Sequence, residues 1–335
     1  MRPRTPSRAR CRARQSGYAL ILVLGSLAVV TLVAATFAVR VDHLRRQVQS
    51  LQEYAQARLK AADAFEAALF HATTRPGGLR GFGIGPELLV ADGRPYAMPS
   101  GAAVAVTDQR ALLPLHVNDP QVVRRLVQGL GATPTEADAL VDVLLDYSDT
   151  DDLKRLNGAE AREYAQLGLP RPRNEWLVST RELGRMPLWR DRPEWVERMG
   201  RLTSTRVSGY LNPNLAPVPV LRAMLPTATT EQLALFDTLR KQGFGFVSGF
   251  QAREATGLPL TGDEFLFHTS FEQAYTAWAP GMPTSVHVQV KMTPESPVSP
   301  WQILAVHSVP PLGPAPAAAS SAWPRFPLSL PNGGP

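Results

Sequence analysis

Six acidic side chains lie close together in one short stretch of the chain. They are Asp146, Asp149, Asp151, Asp152, Glu160 and Glu163. Carboxylate oxygens are hard ligands, and Ca²⁺ binds six to eight oxygens, with backbone carbonyls accepted among them. The stretch therefore predicts a candidate calcium site, although the residue types alone do not assign individual ligands.

This acidic stretch also has a simpler interpretation. Its spacing is not expected to be that of an EF-hand, because no glycine is found at the sixth loop position and no glutamate at the twelfth. The same acids can cap helices and face solvent, with Asp151 or Asp152 capping a helix that ends at Asn157 and Gly158. Both interpretations are kept open at this point.

The sequence offers little support for catalysis. Its histidines are scattered, with no pair at the spacing of metal ligands on a helix, and stand at positions 43, 71, 116, 268, 287 and 307. The single cysteine is Cys11, near the N-terminus. The segment GFGIGP at 81–86 lacks the lysine of a phosphate-binding loop and is interpreted as a turn. We therefore expect no enzymatic activity and no catalytic residue.

The positive charge of the chain is concentrated at its N-terminus. The 335 residues suggest two folded units plus tails, and their formal net charge is +6. Residues 1–17 contain six arginines and no acid, and the rest of the chain has 29 basic and 29 acidic side chains. The basicity is therefore a property of this leader and does not indicate a nucleic-acid partner.

A long uncharged segment follows the basic leader. Tyr18 to Val39 comprises 22 residues, enough to cross a hydrocarbon core of roughly 30 Å as a helix. Arginines before it place the N-terminus in the cytoplasm and the remainder outside. Apolar residues then recur every three or four positions as far as Leu69, with no proline or glycine before Pro76. We predict one helix from Tyr18 to about Thr73.

A short basic leader that ends in glycine, followed by such a helix, resembles the type IV pilin and pseudopilin class. That resemblance implies cleavage by prepilin peptidase between Gly17 and Tyr18, with N-methylation of the new terminus. Most members have glutamate at the fifth mature position, where this chain has Leu22. That glutamate is thought to pair with a neighbouring subunit's terminal amine, so its absence points to a subunit at the tip. An ordinary signal anchor is the alternative.

Three further blocks extend the resemblance. LLDYSDTDDLKRLNGAEAREY, GLPRPRNEWLVSTRELGRMP and LNPNLAP are similar to the hallmark blocks of the K-type minor pseudopilin of the type II secretion system, the general secretion pathway protein K family. The resemblance implies an α+β protein with a type IV pilin-like fold, in which a long N-terminal helix packs on a small antiparallel sheet. A large α-helical domain is inserted into that fold, and family members bind calcium there.

The same resemblance implies a role in protein export. The chain would be an inner-membrane, single-pass protein with a periplasmic globular part. It would form a tip complex with I- and J-type minor pseudopilins and initiate a pseudopilus of the major pseudopilin, after processing by prepilin peptidase. Calcium is the only cofactor implied, and no nucleic acid is expected.

The sequence predicts six segments along the chain. They are the leader 1–17, the membrane half of the helix 18–39, a first part of the pilin-like body 40–117, a helical insert 118–241, a second body part 242–308 and a Pro/Ala-rich tail 309–335. Strands are expected in SVHVQVKMTP and WQILAVHSV, and the tail is expected to be disordered.

Two similar units appear within the predicted insert. In the first, Asn118 or Asp119 begins a short helix and Thr135 caps a longer one. In the second, Asn214 and Thr230 hold the corresponding positions. Paired helical hairpins raise an alternative function, a membrane-anchored helix-hairpin-helix receptor for DNA binding and uptake. The acidic neighbouring block and the lack of glycine-rich turns disfavour it.

Overall fold

The computed structural model describes residues 16–116, 119–206, 209–313 and 323–327. Most of the predicted leader, residues 1–15, and the predicted cap Asn118 lie outside these ranges. The described helices are α1 (Ser16–Thr74), α2 (Pro120–Gly129), α3 (Pro134–Ser148), α4 (Ala161–Gln166), α5 (Pro193–Leu202), α6 (Val218–Met224), α7 (Thr230–Lys241) and α8 (Gly249–Thr256).

The described strands are short at first and longer towards the C-terminus. They are β1 (Gly81–Phe82), β2 (Leu89–Val90), β3 (Asp92–Ala97), β4 (Ala103–Asp108), β5 (Leu113–Pro114), β6 (Thr203–Ser204), β7 (Glu272–Trp278), β8 (Ser285–Met292) and β9 (Trp301–Val309). The chain divides into two compact units, Met1–Gln56 and Ala57–Pro335.

In the first unit, α1 is apolar and exposed. Its most apolar 18-residue window has a mean hydropathy of 2.5, and none of that window is buried. The helix is long and apolar enough to cross a membrane. The predicted helix from Tyr18 to Thr73 is confirmed to within two residues at each end.

In the second unit, the last turns of α1 pack on an antiparallel sheet of five strands in the order β3-β4-β7-β8-β9. The helix face in contact is lined by Ala57, Ala61, Ala64 and Ala68, all buried. Spacings of four, three and four residues keep these methyl groups on one side of the helix. Because alanine is small, the helix backbone can approach the strands closely. The predicted α+β fold is confirmed.

Only the C-terminal end of the apolar stripe predicted on α1 packs on the sheet, where Leu69 is buried and Phe65 contacts the core. The large side chains Leu44, Leu51 and Leu59 belong to the predicted stripe, and each is 57 to 66% exposed. Alanines that the pattern treated as minor contribute most of the buried face. Periodicity places side chains on a face but does not identify the face that the sheet covers.

A second core unites the remaining helices. Residues from Leu113 to Phe267 form one buried cluster, to which α2, α3, α6 and α7 and the segments between them all contribute large side chains. Asp119 caps α2 as predicted, because its carboxylate accepts from Gln121 N at 2.9 Å. Thr133, rather than the predicted Thr135, caps α3 in a capping box with Glu136. In α7 the cap is Thr229 rather than Thr230.

The helical domain is longer than the predicted insert 118–241. It begins at β5, which pairs in parallel with β6, and includes α8. Ser248 caps α8 by accepting from Gln251 N, and Gly257 ends the helix at φ +73°. The sequence analysis did not predict this helix, because its cap and its few residues lie between two glycine-rich turns. The buried cluster of the helices thus continues as far as Phe267, and the predicted start of the second body part at residue 242 stays a prediction.

Part of the predicted disordered tail is packed on the body. Phe326 is buried between Tyr96 and His71, with ring centroids 6.3 and 5.7 Å apart. Phe326 N donates to Ala97 O at 3.0 Å, and Ala97 N donates to Pro324 O at 2.9 Å. Residues 323–327 thus cover the outer edge of β3, so disorder is a wrong prediction for this segment. An edge strand offers unpaired backbone groups that a short peptide can satisfy.

The block LNPNLAP connects the helical domain to the sheet. Asn212 N donates to Arg110 O at 2.7 Å, and Asn212 Nδ2 donates to Leu79 O at 3.1 Å. Asn214 does not cap a helix as predicted. Its buried amide donates to Phe246 O at 2.8 Å and accepts from Phe246 N at 2.9 Å. The two asparagines therefore join three distant segments of backbone.

We predict that Asn214→Asp destabilises the protein by about 2–4 kcal/mol, because the carboxylate cannot donate to Phe246 O and carries a buried charge. Urea unfolding of the full chain in detergent, followed by tryptophan fluorescence, measures the change. Gln128→Glu, at an exposed position on α2, is the control and should leave the midpoint unchanged. Equal midpoints for Asn214→Asp and the parent would contradict the proposed junction.

Candidate functional site

The acidic stretch begins in the last turns of α3. Trp189 is fully buried, and its Nε1 donates to Leu140 O at 2.9 Å, which holds α3 against the rest of the helical core. Asp142 and Asp146 follow on the same side of the helix. Asp146 is completely buried, and the helix ends at Ser148. The first candidate ligand is therefore placed by packing of the core.

A single arginine bridges two of the predicted ligands. Arg155 Nη1 lies 2.6 Å from Asp146 Oδ1 and 2.5 Å from Asp149 Oδ2. Arg155 N also donates to Asp146 Oδ2 at 3.1 Å. Asn157 adds a second attachment, because its backbone N and Nδ2 each lie 3.2 Å from Asp142 Oδ2. The loop after α3 is therefore folded back on the carboxylates of that helix.

Gly158 allows this close approach. A Cβ atom at position 158 would lie 1.8 Å from Asp146 Oδ2, which is far inside van der Waals contact. Any other residue would force the carboxylate or the loop to move. Asp151 and Asp152 lie in this irregular loop, and no helix runs between residues 149 and 160. The predicted helix ending at Asn157 and Gly158 is therefore wrong.

Glu160 is the buried carboxylate without a partner. It is 4% exposed, and neither side-chain oxygen accepts a hydrogen bond from the described residues. Burial first, and then the negative charges of Asp146, Asp149, Asp152 and Asp151, together raise its pKa to about 7. Glu160 therefore faces the acidic loop at close range, where a positive charge would stabilise its ionised form.

The remaining acids are partly occupied by local contacts. Asp151 Oδ1 accepts from Leu153 N at 2.8 Å. Asp152 Oδ1 accepts from Asn174 Nδ2 at 3.3 Å. Glu163 accepts from Glu160 N at 3.1 Å, and its other oxygen lies 3.4 Å from Lys154 Nζ. All six predicted residues thus surround one loop, and their carboxylates differ in how many hydrogen bonds and ion pairs they already form.

The donor set fits a hard divalent cation only in part. All candidate ligands are oxygens, and Glu160 has two without donors. However, within the described ranges no three acidic, histidine or cysteine side chains already converge on one point. Arg155 supplies positive charge to Asp146 and Asp149 in this structure. Glu160, Asp151 and Asp152 are therefore the residues best placed to hold such a cation.

The loop has a glutamate at the position of the last ligand of an EF-hand. Counted from Asp149, Asp151 stands at position three and Glu160 at position twelve, where an EF-hand has a bidentate glutamate. Position six is Lys154 rather than glycine. The loop therefore shares the end ligand of that pattern but not its central turn, so the expectation of no glutamate at position twelve is wrong when the loop is counted from Asp149.

The structure also brings together two histidines that sequence spacing did not connect. His287 on β8 and His307 on β9 are paired across the strands, with ring centroids 4.7 Å apart. Thr276 Oγ1 lies 2.9 Å from His287 Nδ1. Burial, and then the charge of His307, lowers the pKa of His287 to about 4. Only the strand register creates this pair.

The N-terminal candidates lie on α1. The helix begins at Ser16, so Gly17 is in its first turn. Tyr18 is 78% exposed and Leu22 is 62% exposed. In the turn at 81–86, β1 is followed by a short 3₁₀-helix (Gly85–Glu87), which agrees with its interpretation as a turn. Processing at Gly17 stays a prediction.

One solved structure resembles this fold at low sequence identity. It is a chain of the GspK–GspI–GspJ complex from the enterotoxigenic Escherichia coli type 2 secretion system, with 16% identity and a TM-score of 0.48. The match covers 81% of this chain and 99% of that one. No curated protein sequence matches the chain.

A family model matches the part of the chain that contains the acidic loop. The model is described as type II secretion system (T2SS), protein K, and it matches residues 104–203, from β4 to the start of β6. The match includes α3, the six acidic residues and Trp189. Over residues 104–203, the chain is therefore similar to type II secretion system protein K.

Proposed function

We propose that this protein is a minor pseudopilin at the tip of the type II secretion pseudopilus. In this role it initiates pseudopilus assembly for protein export across the outer membrane. The single observation that carries the proposal is the protein K match over residues 104–203 in a chain that begins with a long apolar helix. Its role is assembly rather than catalysis.

An exposed apolar stripe on α1 supports assembly through helix packing. Val41, Leu44, Val48 and Leu51 follow the uncharged segment, and each is 44 to 64% exposed. Spacings of three and four residues keep them on one face of the helix. Large apolar side chains in such a row are typical of helices that pack against other helices. We infer that I- and J-type minor pseudopilins and the major pseudopilin supply these partners.

Two features favour the tip over the shaft of the filament. Leu22 stands where most pilin-like chains have a glutamate that pairs with the subunit above. The helical domain, from Leu113 to Phe267, adds a large body to the pilin-like sheet. A subunit with such a body would obstruct a neighbour above it, whereas the terminal position has none.

The proposed location follows from the same helix. The arginine-rich leader favours a cytoplasmic N-terminus in the inner membrane, with α1 crossing once and the second unit in the periplasm. The alternative, a DNA-binding or uptake receptor, would need a basic surface on its helical hairpins. The loop after α3 is acidic instead, so this alternative is not favoured.

We predict that the full chain, extracted in detergent, co-purifies with I- and J-type minor pseudopilins in equal amounts. Leu44→Lys combined with Leu51→Lys should reduce the recovered complex at least tenfold, because the new charges cannot be buried between helices. Gln47→Lys combined with Ser50→Lys adds the same charge at exposed polar positions and is the control. Co-purification with duplex DNA instead of these partners would support the alternative.

Processing at Gly17 is a separate prediction. The intact mass of the protein extracted from native membranes should match Tyr18 to Pro335 plus one methyl group. Gly17→Leu should leave the leader attached, because the pilin-like resemblance places the cut after this glycine. Gly25→Leu, within the helix, is the control and should be cut normally. A full-length mass for the parent would indicate an ordinary signal anchor.

We propose that the acidic loop binds Ca²⁺ through Glu160, Asp151 and Asp152. The bound cation would supply the positive charge that the buried Glu160 carboxylate lacks. Calcium at a hundredfold excess over its Kd should stabilise the full chain by about 2.7 kcal/mol, measured by thermal unfolding against a chelator. Glu160→Gln should lose most of this gain.

A matched variant controls for general charge effects on calcium binding. Glu231 lies in the first turn of α7 and is exposed, so Glu231→Gln should keep the full response to calcium. The same stabilisation in Glu160→Gln and in the parent would exclude Glu160 as a ligand. No response in the parent would exclude the calcium site as a whole.

A further inference from the structure

A cavity lies between the edge of the sheet and the end of α7, outside the acidic loop. Its volume is about 550 Å³, and Asp92, Gly93, Arg94, Pro95, Lys241, Trp323 and Pro324 line it. It is a shallow depression that is largely open to solvent rather than an enclosed pocket. Two cationic side chains and several flat apolar ones therefore share a single concave surface.

Arg80 contributes a buried positive charge beside this cavity. It is 7% exposed, and its Nε is buried without a hydrogen-bond acceptor among the described residues. Burial lowers its pKa, the charges of Arg94 and Arg240 lower it further, and the charge of Asp92 raises it, so three guanidinium groups and one carboxylate lie within electrostatic range of one another. A buried charge without a counter-ion is strongly unfavourable. A bound anion would stabilise this arrangement.

The nearby carboxylates are already paired with other cations. Asp92 accepts two hydrogen bonds from Arg94 Nε, at 2.9 and 3.0 Å. Asp237 accepts from Arg240 Nη2 at 2.6 Å and lies 2.7 Å from Lys241 Nζ. Neither carboxylate forms an ion pair with Arg80 in the described part of the chain.

The charges of this cluster therefore do not balance. Arg80, Arg94, Arg240 and Lys241 carry four positive charges, and Asp92 and Asp237 carry two negative ones. Arg240 is also held by the backbone, because its Nη1 donates to Pro213 O and Ala216 O at 2.8 and 2.7 Å. Arg240 is thus fixed in position, while Arg80, Arg94 and Lys241 keep donors for a ligand.

Gly245 keeps Arg80 at this position. A Cβ atom at Gly245 would lie 3.3 Å from Arg80 Cδ and 3.1 Å from Leu79 Cδ1. The stem of the arginine thus passes directly against the loop after α7. On its other side, Arg80 O accepts from Ala91 N at 2.9 Å. Arg80 is therefore built into the fold between the sheet and the helical domain.

We propose that this cavity binds a carboxylate, with Arg94 and Lys241 in contact with it and Arg80 supplying the uncompensated charge. A carboxylate suits these donors because guanidinium groups bind its two oxygens in parallel. Trp323, Pro95 and Pro324 provide apolar walls for the body that bears the acid. The carboxylate can belong to a free small molecule or to an acidic side chain of another protein. This site is independent of the proposed role in secretion.

Thermal unfolding of the full chain in detergent tests the proposal. The ligands are N-acetyl-Glu-Glu-amide, glutarate and inorganic phosphate, each compared with sodium chloride at equal ionic strength. At about tenfold excess over the Kd, a bound carboxylate should raise the midpoint by about 2 °C. A larger response to the peptide than to glutarate would identify a protein side chain as the source, and the reverse would identify a free molecule.

Three variants locate the effect. Arg80→Gln removes the buried positive charge and should lose the carboxylate response, measured against its own midpoint in chloride. Lys241→Gln changes a side chain that is 73% exposed, so it should fold normally and lose at least half of the response. Arg162→Gln, at an exposed position on α4, is the control and should respond fully.

Three outcomes would overturn the proposal. No carboxylate response in the parent would exclude the site. A response to phosphate alone would exclude a carboxylate ligand. A full response in Lys241→Gln would place any binding elsewhere, and this holds even if Arg80→Gln fails to fold.

Discussion

The arrangement of the second unit depends on two buried asparagines in the loop before α6. Asn212 binds the backbone at Arg110 and Leu79, and Asn214 pairs with both backbone groups of Phe246. Buried backbone groups at these places have no strand to pair with, so side-chain amides satisfy them. An amide is needed because it donates and accepts at the same time. The sheet and the helical core are thereby held in one unit.

The junction formed by the two asparagines lies between the acidic loop of the helical core and the buried Arg80 beside the sheet. On the helical side, α3 is held in the core and places its last carboxylates under a loop that Arg155 and Gly158 fold back. On the sheet side, Arg80 is enclosed between β1 and the loop after α7. Each side thus contains a buried charge of opposite sign, Glu160 and Arg80. Neither forms an ion pair within the described chain, and both are candidates for an external counter-ion.

Much of the fold was predictable because its signals are local. The helix limits of α1, the strands β8 and β9 and the cap at Asp119 depend on residues near in sequence. The predictions were wrong where tertiary packing decides which residues are buried. The helix face on the sheet is lined by alanines rather than by leucines, and α8 was missed between two turns. The segment around Phe326 is ordered because a distant strand edge accepts it, a contact that no local pattern reveals.

The sequence by itself determined the long apolar helix, the neutral charge of the chain beyond its leader and the six acidic residues of one loop. These properties follow from composition and spacing along the chain. Only the tertiary structure decided that Arg155 neutralises two of those acids while Glu160 is left unpaired, and that Arg80 stands beside two other arginines. Burial and charge pairing depend on residues far apart in sequence, so their balance is settled only when the chain is folded.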